Sequence, residues 1–103
     1  MKQTTPIYGL GIDQTYKTPS RAVDTVYQNT TGKPIFVVVV ATTNQASAVM
    51  SISVDKVSPP STTVDRKTVY AGDLNSVKAI VPNGWYYKFS LPSAAINTWV
   101  ELS

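Results

Sequence analysis

A short run of β-branched and aromatic side chains constrains the fold of this chain more than any other feature. All six residues from Ile35 to Val40 are Ile, Phe or Val, and a polar turn at 29–33 leads into them. Such side chains fit a pleated sheet better than a helix, and a membrane-spanning helix needs about 20 apolar residues. The sequence therefore predicts a central β-strand over about 34–42.

This strand is apolar at every position rather than at alternate ones. A strand with one wet face alternates apolar and polar residues, whereas a continuously apolar strand needs both of its faces covered. A single sandwich covers only one face of each of its sheets. We therefore expect Phe36, Val38 and Val40 to contact another copy of the chain in a homo-oligomer.

The length and composition indicate one folded domain. The chain has 103 residues, of which 43% are hydrophobic and 15% are charged, so it is long enough for one core and too apolar for intrinsic disorder. It contains no cysteine, so packing and assembly must stabilise it. We expect one domain over 1–103, in which residues 1–6 form a mobile lead-in that ends at Pro6.

The rest of the chain reads as short strands separated by turn signals. Period-two alternation is clearest at 48–57, where Met50, Ile52 and Val54 share one face, and at 85–91. The charged segment 64–70 is typical of an edge strand. Strands are predicted over 22–29, 34–42, 48–57, 64–70, 76–81, 85–91 and 96–102. No segment has helical periodicity, so we expect an all-β fold, an antiparallel sandwich or jelly roll of six to eight short strands.

The last predicted strand places a tryptophan on its outer face. Ile96, Val100 and Leu102 alternate with Trp99 and Glu101, and the aliphatic side is taken as the inner one. Trp99 then either caps an open end of the sandwich or enters an interface between copies.

Catalytic chemistry has little support in the sequence. The chain has no histidine and no cysteine, which removes the commonest general base and the usual metal ligands. Serine and threonine hydroxyls are abundant but have no base to activate them. The carboxylates are scattered singly through the chain: Asp13, Asp24, Asp55, Asp65, Asp73 and Glu101. We expect no enzyme, metal or cofactor, and keep as an alternative a glycan-processing domain in which the fold brings two carboxylates together.

Charge and hydropathy also limit the partners. The formal charge of +3 is spread along the chain, and only Arg66 and Lys67 are adjacent, so no phosphate-tracking surface is predicted. Met1 and Lys2 are followed by polar residues rather than by the apolar core of a signal peptide. We expect no nucleic-acid binding and no membrane insertion, and synthesis in a cytoplasm.

Loops carry the candidate contact residues. Asn44 and Gln45 lie in a predicted hairpin loop, and Tyr86 follows the turn at 82–84. Loops on a rigid scaffold commonly carry recognition, and exposed aromatic side chains anchor interfaces or stack on sugars. The sequence also contains an N-glycosylation acceptor at Asn29, which is relevant only in a secreted eukaryotic protein.

Several stretches together resemble a module of bacteriophage tail-fibre and related virion proteins. That module reads Gly-x-Gly-Gln-Thr-Trp, Ser-Arg, Tyr-x-Asn-x-Thr-Gly-Lys-Pro-Ile with a Val-rich strand, Ile-Val-Pro-x-Gly with an aromatic strand, and Trp-x-Glu-Leu. The corresponding stretches here are 9–16, 20–22, 27–35, 80–87 and 99–102. Ile12 and Asp13 are additional to the pattern, and Tyr16 replaces its Trp. The module usually closes a long fibre, whereas this sequence begins with Met1 close to the motif.

The resemblance implies a non-enzymatic β-sandwich that assembles on a phage particle, most often as a trimer. The expected function is a tail-fibre or spike tip that contacts other virion proteins and binds a glycan or protein on the host surface. The alternative is a capsid decoration or head-fibre protein whose partner is the phage shell. The expected location is the virion, after synthesis in the bacterial cytoplasm.

Overall fold

A computed structural model of the protein describes residues 10–103 and contains strands but no helix in that range. The all-β prediction is confirmed, whereas the predicted lead-in at 1–6 lies outside the described residues. The eight strands are β1 (Tyr16–Lys17), β2 (Val26–Gln28), β3 (Ile35–Thr43), β4 (Ser47–Asp55), β5 (Thr63–Tyr70), β6 (Asn75–Val81), β7 (Tyr86–Ser90) and β8 (Ala94–Leu102).

The strands form two four-stranded antiparallel sheets that pack face to face. Sheet A has the order β1-β8-β3-β6, and sheet B has the order β2-β7-β4-β5. The apolar strand β3 lies inside sheet A, paired along its length with β6 and β8. Strand β5 is an edge strand, as its charges predicted, and β2 is shorter than the predicted 22–29.

The core lies between the two sheets and follows the predicted alternation. Strand β3 alternates strictly between buried and half-buried residues, with Val37 and Val39 fully buried. From the other sheet, Met50, Ile52 and Phe89 are equally buried. Burying each such side chain contributes about 1.5–3 kcal/mol before the cost of ordering it, so these facing rows supply most of the driving force for folding.

The predicted orientation of β8 is wrong for Trp99. The indole is only 6% exposed and packs inside the core, 5.3 Å from the ring centroid of Phe89. The register of β8 against β3 shifts between Val40 and Ala41, where an extra residue at Asn97 forms a bulge. A one-residue shift exchanges the faces of a strand, so the alternation that starts at Ile96 does not continue through the bulge. The expected place of Trp99 in an interface between copies depended on the outward orientation and loses its basis.

Candidate functional site

The outward side of sheet A carries a contiguous apolar patch, and the polar outward positions beside it are Thr42, Ser76, Lys78 and Thr98. Residues directly opposite each other on neighbouring strands share a face. Tyr16 lies opposite Leu102, Leu102 opposite Phe36, and Phe36 opposite Ile80, so these four side chains form one row across all four strands. A second row places Val100 beside Val38, and Val40 follows on the same side of β3.

We call these side chains the apolar outer face: Tyr16, Phe36, Val38, Val40, Ile80, Val100 and Leu102. Tyr16 and Ile80 at its two edges are 63% and 55% exposed, and the other members are half-buried. Lys78 is the one charged residue among the outward positions of β1, β3, β6 and β8, all of which are described, and no carboxylate occurs there. As predicted, Phe36, Val38 and Val40 therefore point away from the core, and what covers them stays a prediction.

The outward side of sheet B has the opposite character. Its outward positions are mainly hydroxyl-bearing and charged: Ser47, Ser51, Ser53, Asp55, Arg66, Thr68, Lys88 and Ser90. Four apolar or aromatic residues also lie on this side, each among polar neighbours: Val26, Val49, Tyr70 and Tyr86. Scattered apolar side chains are ordinary on a protein surface, whereas a contiguous apolar patch is typical of an interaction site. The two outer faces of the sandwich therefore differ in what they can bind.

A buried polar network closes the sandwich on the side of β1 and β2. The segment between these strands crosses from sheet A to sheet B and carries Arg21 inward. Its Nε lies 3.0 Å from Oε2 of Glu101, and its Nη2 lies 3.2 Å from Oε1. The Tyr87 hydroxyl donates a hydrogen bond to Oε2 of Glu101 and accepts one at 3.4 Å from Nε1 of Trp99. Arg21 also stacks over the ring of Tyr27, 4.5 Å from its centroid.

The charges of this network shift the acidity of its members. Burial, reinforced by the hydrogen bond to Glu101 and by its negative charge, raises the pKa of Tyr87 well above the ordinary tyrosine value. Burial alone would lower the pKa of Arg21, but its bonds to Glu101 and Tyr87 outweigh that effect and raise it. Tyr87 therefore stays a neutral donor and Arg21 stays a cation throughout the physiological range.

The carboxylate of Glu101 is fully occupied by its partners in this network. Glu101 is only 5% exposed, and both of its oxygens already accept hydrogen bonds from Arg21 or Tyr87. No cavity opens among residues 10–103. Arg21, Tyr87 and Glu101 together form a clamp that holds the β1–β2 segment against both sheets.

A second polar cluster forms around Asn29 at one end of the sandwich. Asn29 is 2% exposed, and its Nδ2 donates to the carbonyl oxygens of Lys33 at 2.6 Å and Val81 at 2.9 Å. Its Oδ1 accepts from the backbone N–H and the hydroxyl of Thr31 at 3.1 and 2.7 Å. Every hydrogen-bonding atom of this amide is thus used, and the buried nitrogen is not available for glycosylation.

The turns around Asn29 hold each other through further bonds. The Asn29 carbonyl accepts from the N–H of Gly84 at 2.7 Å, and the Asn83 side chain accepts from the N–H of Gly32 at 2.9 Å. Both glycines have positive φ, +86° at Gly32 and +84° at Gly84, a region that glycine adopts without strain. The Asn-Thr-Thr-Gly-Lys-Pro-Ile stretch and the Pro-Asn-Gly turn are therefore one interlocked structural unit.

The predicted contact residues lie at opposite ends of the molecule. Asn44 and Gln45 are exposed in the β3–β4 loop, beside Ser93, whose carbonyl accepts from the N–H of Asn44 at 3.1 Å. Tyr86 begins β7 at the other end, opposite both Gln28 and Asp55, and is half-buried. Strand β4 spans the whole distance from Ser47 to Asp55, about 30 Å at 3.4 Å per residue. One binding surface cannot include both groups of residues.

The sequence did not reveal the structural roles of four polar residues: Arg21, Asn29, Tyr87 and Glu101. The available signals were the matches of Arg21, Asn29 and Glu101 to the phage module, and the position of Glu101, the chain's single glutamate, in the apolar stretch 99–102. No group of three or more potential metal-ligating residues occurs among residues 10–103. The same range contains no helix long and apolar enough to cross a membrane.

Comparisons of the chain with models of known protein families, with curated proteins and with solved structures give no significant match.

Proposed function

We propose that this chain is a non-enzymatic structural and attachment module of a bacteriophage virion that assembles through the apolar outer face of sheet A. The observation that supports this best is the contrast between the two outer faces. A stable sandwich needs only its inner faces to be apolar, and sheet B follows that rule. The second apolar face on sheet A contributes nothing to the core, so its composition is explained by assembly.

The sequence resemblance supplies the viral context of this proposal. The residues that carry it form structural units in the fold: the Asn29 cluster, the Gly84 turn and the clamp of Arg21 with Glu101. Such residues preserve a scaffold, while the recognition residues differ between proteins that share it. A rigid sandwich without a cavity in its described part suits a virion component that binds and assembles without turnover.

Host contact belongs to one end of the sandwich. If the copies pack through their sheet A faces, their strands run beside one another, and the two ends of each sandwich point in different directions. The receptor, a glycan or protein of the host surface, would then contact either the Asn44 end or the Tyr86 end, and the other end would face the remaining virion proteins.

Localisation on particles tests the virion assignment. Antibodies raised against the folded chain are applied to phage particles purified from the bacterium that carries the sequence, and bound antibody is located by immunogold electron microscopy. Gold at the tail or its fibres is the expected result. Gold on the head would replace the attachment role by a capsid decoration role, and particles without gold would contradict the assignment to the virion.

Binding to host cells tests the attachment role. The fluorescently labelled chain should bind host cells. One of the two variants, Tyr86→Ala or Asn44→Ala, should lose that binding, and the other should bind like the wild type. Lys56→Ala, an exposed change in the β4–β5 loop, serves as the matched surface control. Equal binding by all of these variants would place the contact elsewhere, and no binding by the wild-type chain would leave only the structural role.

A further inference from the structure

We propose that the partner of the apolar outer face is the same face of a second copy, so that two sandwiches pack through sheet A about a two-fold axis. This inference rests on the proposed assembly role and specifies its geometry. It differs from the trimer that the sequence resemblance implies.

The distribution of apolar surface favours a two-fold arrangement. In a two-fold dimer each copy offers the same patch, whereas a ring of three needs two different patches that fit each other. Among the described residues, sheet A provides one contiguous apolar patch, whereas the outward side of sheet B carries mainly hydroxyl-bearing and charged side chains, with Val26, Val49, Tyr70 and Tyr86 scattered among them. The surface that best matches the apolar outer face is therefore the same face of a second copy.

The charges oppose stacking of sheet A of one copy on sheet B of the next. The charged residue among the outward positions of sheet A is Lys78, and sheet B presents the cations Arg66 and Lys88 and a single carboxylate, Asp55, on its outward side. Bringing these cations together without enough carboxylate between them would be unfavourable. In the two-fold arrangement Lys78 lies on the edge strand β6, from which its long side chain can reach water.

The size of the face predicts a weak dimer. Three to four strands spaced by about 4.8 Å, and five residues of about 3.4 Å each along β3, give a footprint of roughly 250–330 Å² per copy. Two copies would bury roughly 500–650 Å², below the 1,200 Å² or more that is usual for stable specific complexes. The isolated chain should therefore dimerise reversibly in the micromolar range or above, and high local concentration on a particle would complete the assembly.

Sedimentation equilibrium of the full chain tests this proposal over concentrations from about 5 μM to about 1 mM. The wild-type mass should rise from the 11.2 kDa of the monomer towards twice that value. Ile80→Glu places a carboxylate at an edge of the apolar outer face, 55% exposed, and should weaken association at least about tenfold. Val49→Glu makes the same change on sheet B, where Val49 is 41% exposed, and should dimerise like the wild type.

A second variant guards against an indirect effect of Ile80→Glu on folding. Tyr16→Lys changes the other edge of the face, where the side chain is 63% exposed, and should weaken the dimer without altering the thermal midpoint of unfolding. A limiting mass of three copies, a wild-type chain that stays monomeric to 1 mM, or a dimer broken by Val49→Glu but not by Ile80→Glu would each overturn the proposal. If the wild-type chain stays monomeric but the antibodies label phage particles, only the dimer is rejected. If the chain dimerises but the particles carry no gold label, only the virion assignment is rejected.

Discussion

The guanidinium of Arg21 forms a bidentate ion pair with the carboxylate of Glu101, with Nε 3.0 Å from Oε2 and Nη2 3.2 Å from Oε1. The two residues are eighty positions apart in the sequence. Their pairing fixes the segment between β1 and β2 to the inner side of β8, and Tyr87 joins it from sheet B. The ion pair and the Tyr87 hydrogen bond together connect the two sheets and the segment that passes between them.

Arg21→Ala should therefore destabilise the protein by about 2–4 kcal/mol, because it leaves the buried carboxylate of Glu101 without its cation. The value lies at the lower side of the range for buried pairs, since the Arg21 side chain retains 27% exposure. Urea unfolding measures the loss, and Arg66→Ala, an exposed change on β5, is the control and should cost less than about 0.5 kcal/mol. Equal effects of the two variants would show that the ion pair does not hold the segment.

Stability should fall at alkaline pH because of Tyr87. Burial and the neighbouring Glu101 raise its pKa above the value of about 10 that it has in the unfolded chain. The folded state therefore keeps the proton that the unfolded state releases. This contribution is fully present below pH about 10 and is lost as pH rises through the higher pKa of the folded state.

Urea unfolding midpoints between about pH 8 and pH 11.5 measure this dependence. Tyr87→Phe should lower stability by about 1–3 kcal/mol at neutral pH and flatten the alkaline fall. Tyr16→Phe, which changes an exposed tyrosine, should keep both the wild-type stability and the wild-type slope. An unchanged slope in Tyr87→Phe would assign the alkaline loss to other groups.

Asn29→Asp should be more harmful than its small change in shape suggests. The new carboxylate would face the carbonyl oxygens of Lys33 and Val81, which now accept hydrogen bonds from the Asn29 amide. We expect the free energy of unfolding to fall by about 3 kcal/mol or more at pH 7. It should recover in part near pH 3, where the carboxyl group is protonated and can donate a hydrogen bond again. Asn44→Asp in the exposed β3–β4 loop is the control and should change stability little at either pH.

Asp65 links the two sheets at the opposite side from the Arg21 clamp. Its Oδ2 accepts a hydrogen bond at 2.9 Å from the backbone N–H of Lys78, a donor on the edge strand β6. Asp65→Ala should cost about 1 kcal/mol and free this donor for pairing with another chain, because unpaired edge strands promote aggregation. During heating, the turbidity of Asp65→Ala should rise at a lower temperature than that of the control Asp73→Ala, which removes an exposed turn carboxylate. Identical turbidity curves would show that Asp65 does not protect the edge.

Local patterns in the sequence predicted most of the fold. Strands β4, β6 and β7 follow apolar alternation, and turn residues mark their ends, so their existence and inner faces were predictable. The continuous apolar run of β3 made its existence predictable. The existence of β8 was predicted over 96–102, but its inner face was not, because the bulge at Asn97 reverses its faces, and a bulge depends on pairing with β3 rather than on local sequence. The apolar residues Val100 and Leu102 on its outer side completed the misleading pattern.

The candidate surfaces were only partly predictable. The continuous apolar run of β3 pointed to an apolar outer face through Phe36 and Val38. The contributions of Tyr16 and Ile80 depend on which strands become neighbours of β3, a long-range choice that no local pattern contains. For the same reason, the buried ion pair of Arg21 with Glu101 joins residues that give no sign of contact in the sequence.

Assembly through the apolar outer face of sheet A can be observed by ¹H–¹⁵N NMR spectra recorded during dilution of the full chain. Amide signals of outward residues such as Val38, Ile80 and Val100 should shift with concentration, while those of Ser51, Arg66 and Lys88 on sheet B stay fixed. Concentration-dependent shifts confined to sheet B or to the loops, or no shifts up to about 1 mM, would contradict it.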